Sequence, residues 1–219
     1  MKLVWDQTGE RLYETGVEQV ALFPMVDGAY PAGVAWNGIT ALNITPSGAE
    51  PTALYANDKK YLTLMSAEET GGTIEAYTYP DEWAECDGSA SPVKGVRVGQ
   101  QPRKQFGLVA KTLVGNDEVG NKYGYKLHII YGALASVSEK AYATVNDSPE
   151  ANTFSWEFTT TPVEVEGFEP TAYFCIDSNE VDAEKLKTLE ATLYGSADQE
   201  ATLPMPDEVL ATLGYTKAA

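Results

Sequence analysis

Two long runs of alternating apolar and polar residues, separated by a short turn-rich break, constrain this chain more than any other feature. Residues 104–114 carry Phe106, Leu108, Ala110 and Val114, and residues 123–135 carry Tyr125, Leu127, Ile129, Tyr131 and Ala135. Between them lie Gly115 to Lys122, with Asn116, Asp117 and Gly120 as turn formers. The pattern predicts a long β-hairpin, because period-two alternation places apolar side chains on one face of an extended strand. A long hairpin carries long edges, and unpaired edges invite pairing with another chain unless they are covered, charged or bent away.

The rest of the chain is also strand-rich. Short apolar or alternating runs occur at 20–23, 33–40, 61–65, 73–79 and 171–176. In 152–160, Phe154, Trp156 and Phe158 fall on one face and Ser155, Glu157 and Thr159 on the other. Turn signals divide the runs at Pro46–Gly48, Tyr79–Asp81, Asn116–Asp117 and Asp147–Pro149. Residues 43–60 read as one long excursion without structure of its own, and loops of that length are usually functional or disordered.

Helix is scarce. Asp182 can cap a helix on which Leu186, Leu189 and Leu193 follow at helical spacing, with Gly195 placed for a left-handed cap. A second short helix is expected from about Pro206 to Gly214, and a helical turn at Ser66–Glu69. The expected fold class is mainly β, a sandwich or partial barrel with long hairpins, plus one flanking helix and a short C-terminal helix. The expected organisation is a single β domain over 1–219. The alternative makes 163–219 a C-terminal strand–helix extension, because residues 163–170 resemble a linker.

Charge is abundant and uneven. The 219 residues include 32 acids and 15 bases, a net charge of −17. No acid occurs between Gly88 and Asn116, where Lys94, Arg97, Arg103, Lys104 and Lys111 give +5 and leave −22 for the rest. Acidic clusters flank this segment in sequence, first Glu75, Asp81, Glu82, Glu85 and Asp87, and later Glu157, Glu164, Glu166 and Glu169. Such a chain lacks the basic footprint needed to bind nucleic acid by neutralising phosphates. One reading is a solvated acidic surface with chance clustering. The other is complementarity between copies, with Lys94, Arg97, Arg103 and Lys104 on one subunit facing Glu82 and Glu85 on the next. A head-to-tail contact of that kind closes into a ring or runs on as a filament.

The residues for familiar chemistries are missing. The single histidine, His128, falls on the polar face of a strand, where a structural or solvent-facing role is expected. Neither paired zinc-ligand spacing nor a phosphate-cradling glycine loop occurs, and there is no Gly-x-Ser-x-Gly elbow. Close carboxylates such as Glu82 and Glu85 arise by chance among 32 acids and say little about glycoside hydrolysis. Asn116–Asn121 has oxygen ligands but not the twelve-residue calcium loop, and reads as a hairpin tip. Trp36, Trp83 and the tyrosines of 77–79 can stack on sugars, yet read more simply as half-buried sheet aromatics. Cys86 and Cys175 are far apart and are expected as reduced, partly buried thiols. No catalytic residue, cofactor or metal is assigned. The N-terminus has no apolar leader stretch, and no run reaches the length of a membrane span, so synthesis in a cytoplasm is expected.

Several segments together resemble the major tail protein of long, non-contractile-tailed bacteriophages, the subunit of the tail tube. They are Gly33–Gly38, Tyr77–Asp81 with Glu85–Gly88, Phe106–Leu108, Gly124–His128, and Ala141–Pro149 with Phe154–Glu157 and Thr159–Val163. The resemblance implies a β-sandwich or partial barrel with a flanking helix. It also implies hexameric rings stacked into a hollow tube through which DNA passes without specific binding. The place implied is the virion tail, with no membrane involved. The implied partners are other copies of the chain and other tail proteins, among them the tape measure, tail terminator and distal tail proteins. The 104–114/123–135 pair becomes a candidate lumen-lining hairpin, with Lys111, Lys126, His128, Asp117 and Glu118 as candidate luminal residues. The 43–60 excursion becomes a candidate ring-to-ring arm. A carbohydrate- or surface-binding β-sandwich, or another phage structural part such as a terminator or decoration protein, stays open as an alternative.

Overall fold

A computed structural model describes residues 2–48, 50–142, 144 and 151–216. The strands are β1 (Tyr13–Pro24), β2 (Val34–Ala35), β3 (Ile39–Gly48), β4 (Pro51–Ala56), β5 (Lys59–Met65) and β6 (Glu68–Ala76). After helix α1 (Trp83–Asp87) come β7 (Ala90–Val93), β8 (Val96–Val98), β9 (Phe106–Asn116), β10 (Gly120–Ala135), β11 (Phe154–Thr160) and β12 (Tyr173–Asp177). Helices α2 (Ala183–Tyr194) and α3 (Pro206–Leu213) follow. The chain is mainly β with three helices among the described residues.

One antiparallel sheet runs in the order β2-β1-β9-β10-β11-β6-β3. The long strand β10 uses its second edge twice: Lys126–Ile130 pair with β12, and Ala133–Ala135 pair with β11. The sheet path starts at β2 and finishes at β3, yet these strands are joined by residues 36–38 alone. The sheet must therefore curl until its two ends lie close together. No described ladder joins β3 to β1 or β2, so the curl does not close into a barrel.

The curl gives two apolar layers. Val20, Leu22, Ile74, Phe106, Leu108, Ile130, Trp156 and Phe158 line the inner face, capped by Trp36 and by Trp83 of α1. Three tryptophan rings meet there, Trp36 to Trp83 at 4.6 Å, Trp36 to Trp156 at 5.6 Å and Trp83 to Trp156 at 5.4 Å between centroids. The outer face, with Ala21, Phe23, Val109, Leu127, Ile129 and Tyr131, is covered by Leu186, Leu189 and Leu193 of α2 and by Val209 of α3. The central hairpin is thus buried on both faces, which explains the nearly continuous apolar run Phe106–Ala110 in place of strict alternation.

Local signals set most elements. The Asp182 carboxylate accepts from the backbone N–H groups of Glu184 and Lys185 at 3.1 and 3.0 Å, as an N-cap should. Pro206 opens α3, the Glu208 carboxylate reaches back to the Met205 N–H at 3.0 Å, and left-handed Gly214 ends it. Gly195 departs from the expected left-handed helical cap: its φ is 76° but its ψ is 174°. In β11, Trp156 and Phe158 point inward while Ser155, Glu157 and Thr159 face solvent, as the alternation predicts.

Four expectations need correction. The hairpin break is three residues, Asp117–Val119, because the Asn116 side chain accepts from the N–H groups of Glu118 and Val119 and turns the chain at once. The helical turn expected at Ser66–Glu69 is absent: Glu68 and Glu69 pair with Gly48 and Ser47 in the β3–β6 ladder. The 43–60 excursion is strand for most of its length. Trp83 is not a half-buried sheet aromatic but lies fully buried on α1, a helix the alternation gave no sign of. The turn expected at Asp147–Pro149 lies outside the described residues.

Candidate interaction surfaces

The basic segment and the first acidic cluster meet within one chain. The Arg97 guanidinium lies 2.7 Å from Asp81, and the Lys104 ammonium 2.5 Å from Glu85. Lys140 reaches Asp87 at 2.8 Å, and the Ser89 hydroxyl donates to the same carboxylate at 2.5 Å. Tyr79 is flanked by Arg97 and Lys140, each within 6 Å of the ring centre. The guanidinium of Arg103 packs over Gly88, where any side chain would collide with it. Lys94 sits at the exposed turn of the β7–β8 hairpin, and Glu82 is exposed at the start of α1. Of the six residues expected at a subunit contact, Arg97, Lys104 and Glu85 are thus held in intrachain ion pairs, and Lys94 and Glu82 are open to solvent.

The five residues expected in a lumen divide in the same way. Lys111 points under α2, 2.5 Å from Glu190 and over the rings of Tyr125 and Tyr194 at 4.4 and 5.1 Å. Burial first, and then Glu190, pushes the Tyr125 phenol up to about 12. Lys126 is bonded to Glu14. His128 is buried between the Thr112 hydroxyl at 2.8 Å and the Tyr173 hydroxyl at 2.7 Å, and burial holds its pKa below the ordinary value. Asp117 and Glu118 stand at the hairpin tip, where Asp117 accepts from the Gly9 N–H at 3.0 Å and faces Arg11 at 3.6 Å. Lys111 and His128 are therefore engaged inside the subunit.

The β4–β5 hairpin is exposed along nearly its whole length. It forms a two-stranded sheet of its own, separate from the main one. Asn57 and Asp58 both take positive φ, 51° and 57°, the geometry of the tight turn whose twist matches paired strands. Register places Leu54 opposite Leu62 and Thr52 opposite Leu64, so three leucines share one face. Tyr55 and Tyr61 are each 72% exposed, Met65 68% and Leu64 55%. An isolated two-stranded hairpin is marginal in water, and contiguous exposed apolar side chains mark interaction sites. This arm continues the β3–β6 ladder outward, with its strands about 20 Å long at the usual rise. Its sequence signal was present, an Asn-Asp pair between two β-prone runs, but Pro46, Gly48 and Pro51 gave the segment the look of a loop.

A second open surface is the outer edge of β3. It is ten residues long, ends the sheet path among the described residues and carries no charged side chain; Pro46 and a register irregularity between Ile39 and Ala41 are what discourage pairing. A third is the N-terminal segment, where Leu3, Val4 and Trp5 are exposed. Trp36 and Trp83 are buried and cannot stack on a sugar; the exposed aromatics are Trp5, Tyr55, Tyr61, Tyr77, Tyr142 and Phe168, with Tyr13, Tyr123 and Tyr215 less open. Among the described residues, no three His, Cys, Asp or Glu side chains converge as a metal site requires. Cys86 is buried and Cys175 exposed, and both are free.

A scan of protein-family models finds no match to this chain, and a search of curated proteins finds none.

Proposed function

We propose that this chain is a self-assembling structural protein, the subunit of a phage tail tube. Its curled sheet is read as a partial barrel of the tail-tube kind, completed by neighbouring copies. The observation that carries the reading is the β4–β5 arm, a hairpin whose leucines and tyrosines lie in solvent and which, among the described residues, no other strand or helix pairs with. The uncharged free edge of β3 supports it, because pairing edges with neighbours in a closed ring removes them. The acidic composition also fits a conduit for duplex DNA, where carboxylates repel phosphate weakly and exposed cations would trap it. Rings are hexameric and stacked in this reading, and the tube ends meet tape measure, terminator and distal tail proteins. Lys111 and His128 are not carried into the luminal set, since both are spent within the subunit.

The test is sedimentation velocity and negative-stain microscopy of concentrated protein, beside a variant in which residues 49–67 are replaced by Asn-Gly to join β3 directly to β6. Rings or tubes are expected from the intact chain and monomers from the variant. An intact chain that stays monomeric at every concentration and salt level overturns the reading.

A further inference from the structure

The arm has a counterpart elsewhere on the surface. Val165, Phe168, Pro170, Phe174 and Leu210 line an open apolar groove of about 480 Å³, between the 163–171 connection and α3. Phe168 is 58% exposed, with the Tyr215 ring beside it at 5.3 Å between centroids. Glu164 and Glu169 stand exposed beside it and make no ion pair among the described residues. The arm tip has the opposite character. Lys59 and Lys60 are exposed and equally without an acidic partner, and Tyr55 and Tyr61 flank them.

We propose that this groove receives the arm tip of a second copy of the chain, with a tyrosine ring in the apolar channel and Lys59 and Lys60 against Glu164 and Glu169. The inference rests on the reading of the arm as an assembly device and names the surface it grips. Tyrosine is a favoured anchor in such contacts, because a large ring is buried at the cost of few torsions. The flanking charges fix register and exclude wrong pairings, since either acidic or basic surfaces would repel their own kind. The arm of the same chain leaves the groove open.

Position adds a direction. β11 ends at Thr160, whose hydroxyl donates to the Thr70 carbonyl at 2.6 Å, at the root of the arm. The connection that builds the groove starts three residues later. Arm and groove therefore leave the sheet at the same end. A contact between them joins that same end of one copy to that same end of the next. It is heterologous, arm into groove, and closes when its rotation does.

Charge reversal tests this. One variant carries Lys59→Glu and Lys60→Glu, the other Glu164→Lys and Glu169→Lys, and each is examined alone and in equimolar mixture by sedimentation velocity. Each variant alone is expected to assemble at least tenfold more weakly than the intact chain. The mixture is expected to regain assembly, because the reversed arm of one fits the reversed groove of the other, and the remaining arm and groove are unaltered. If the intact chain assembles but the variants match it, or the mixture fails to recover, the groove assignment is overturned while self-assembly stands. If the intact chain never assembles, both fall.

Discussion

The ammonium of Lys111 lies 2.5 Å from the carboxylate of Glu190, joining β9 to α2 across otherwise apolar ground. Both side chains are largely shielded, at 12% and 22% exposure, so neither has water as an adequate substitute partner. Lys111→Met is expected to destabilise the chain by about 2–4 kcal/mol, because it leaves a carboxylate under the helix without a cation. Adding Glu190→Leu is expected to recover most of that loss. Urea denaturation of the two variants checks it; additive losses would show that the pair does not act as a unit.

His128 makes stability depend on pH. Burial is the main cause of its lowered pKa, with Glu14 acting upward and Lys126 downward. In the unfolded chain the imidazole returns to about 6.5 and binds a proton more readily than in the folded one. The stabilisation is therefore present above about pH 6.5 and lost as pH falls through the folded value. Between pH 7 and 5, His128→Gln should flatten the fall in denaturation midpoint. Parallel curves for the two proteins would exclude His128 as its source.

The two thiols should differ in reactivity. Burial, then the neighbouring carboxylates of Glu85 and Asp87, pushes the Cys86 thiol up to about 12, against a smaller opposing effect of Lys104. At pH 8 a buried thiol of that kind holds almost no thiolate. A disulfide-exchange reagent should titrate one thiol per native chain, the exposed Cys175, and a second only in denaturant. Two fast thiols in the native protein would contradict the packing around α1.

Salt should favour assembly. Each subunit carries −17, and bringing copies together concentrates that charge. Screening shortens the repulsion to about 8 Å at physiological ionic strength, while apolar burial at the arm is little affected. Light scattering of the purified chain is expected to rise with added salt or divalent cations. A fall would mean that ionic contacts, and not the apolar arm, dominate assembly.

Much of the framework is legible from local patterns. The β9–β10 pair, the inward Trp156 and Phe158 of β11, the Asp182 cap and the Pro206–Gly214 limits of α3 each depend on residues within a few positions of one another. The β4–β5 arm is hard to read from sequence because Pro46, Gly48 and Pro51 at its root are loop signals. Its two strands are also held by each other more than by a core, so no deep hydrophobic period announces them. Helix α1 is not legible in the sequence because five residues are too few to show a helical period.

Sequence alone determined that the central hairpin and β11 extend, where two helices begin, and that charge is unevenly spread along the chain. Only the tertiary structure decided that α2 covers the outer face of the hairpin, that Arg97 and Lys104 find Asp81 and Glu85 in their own chain, and that the arm is left uncovered. The reason is physical. Alternation and capping depend on neighbours a few residues away, whereas the partner of a charge or of an apolar face is chosen by how distant segments pack together.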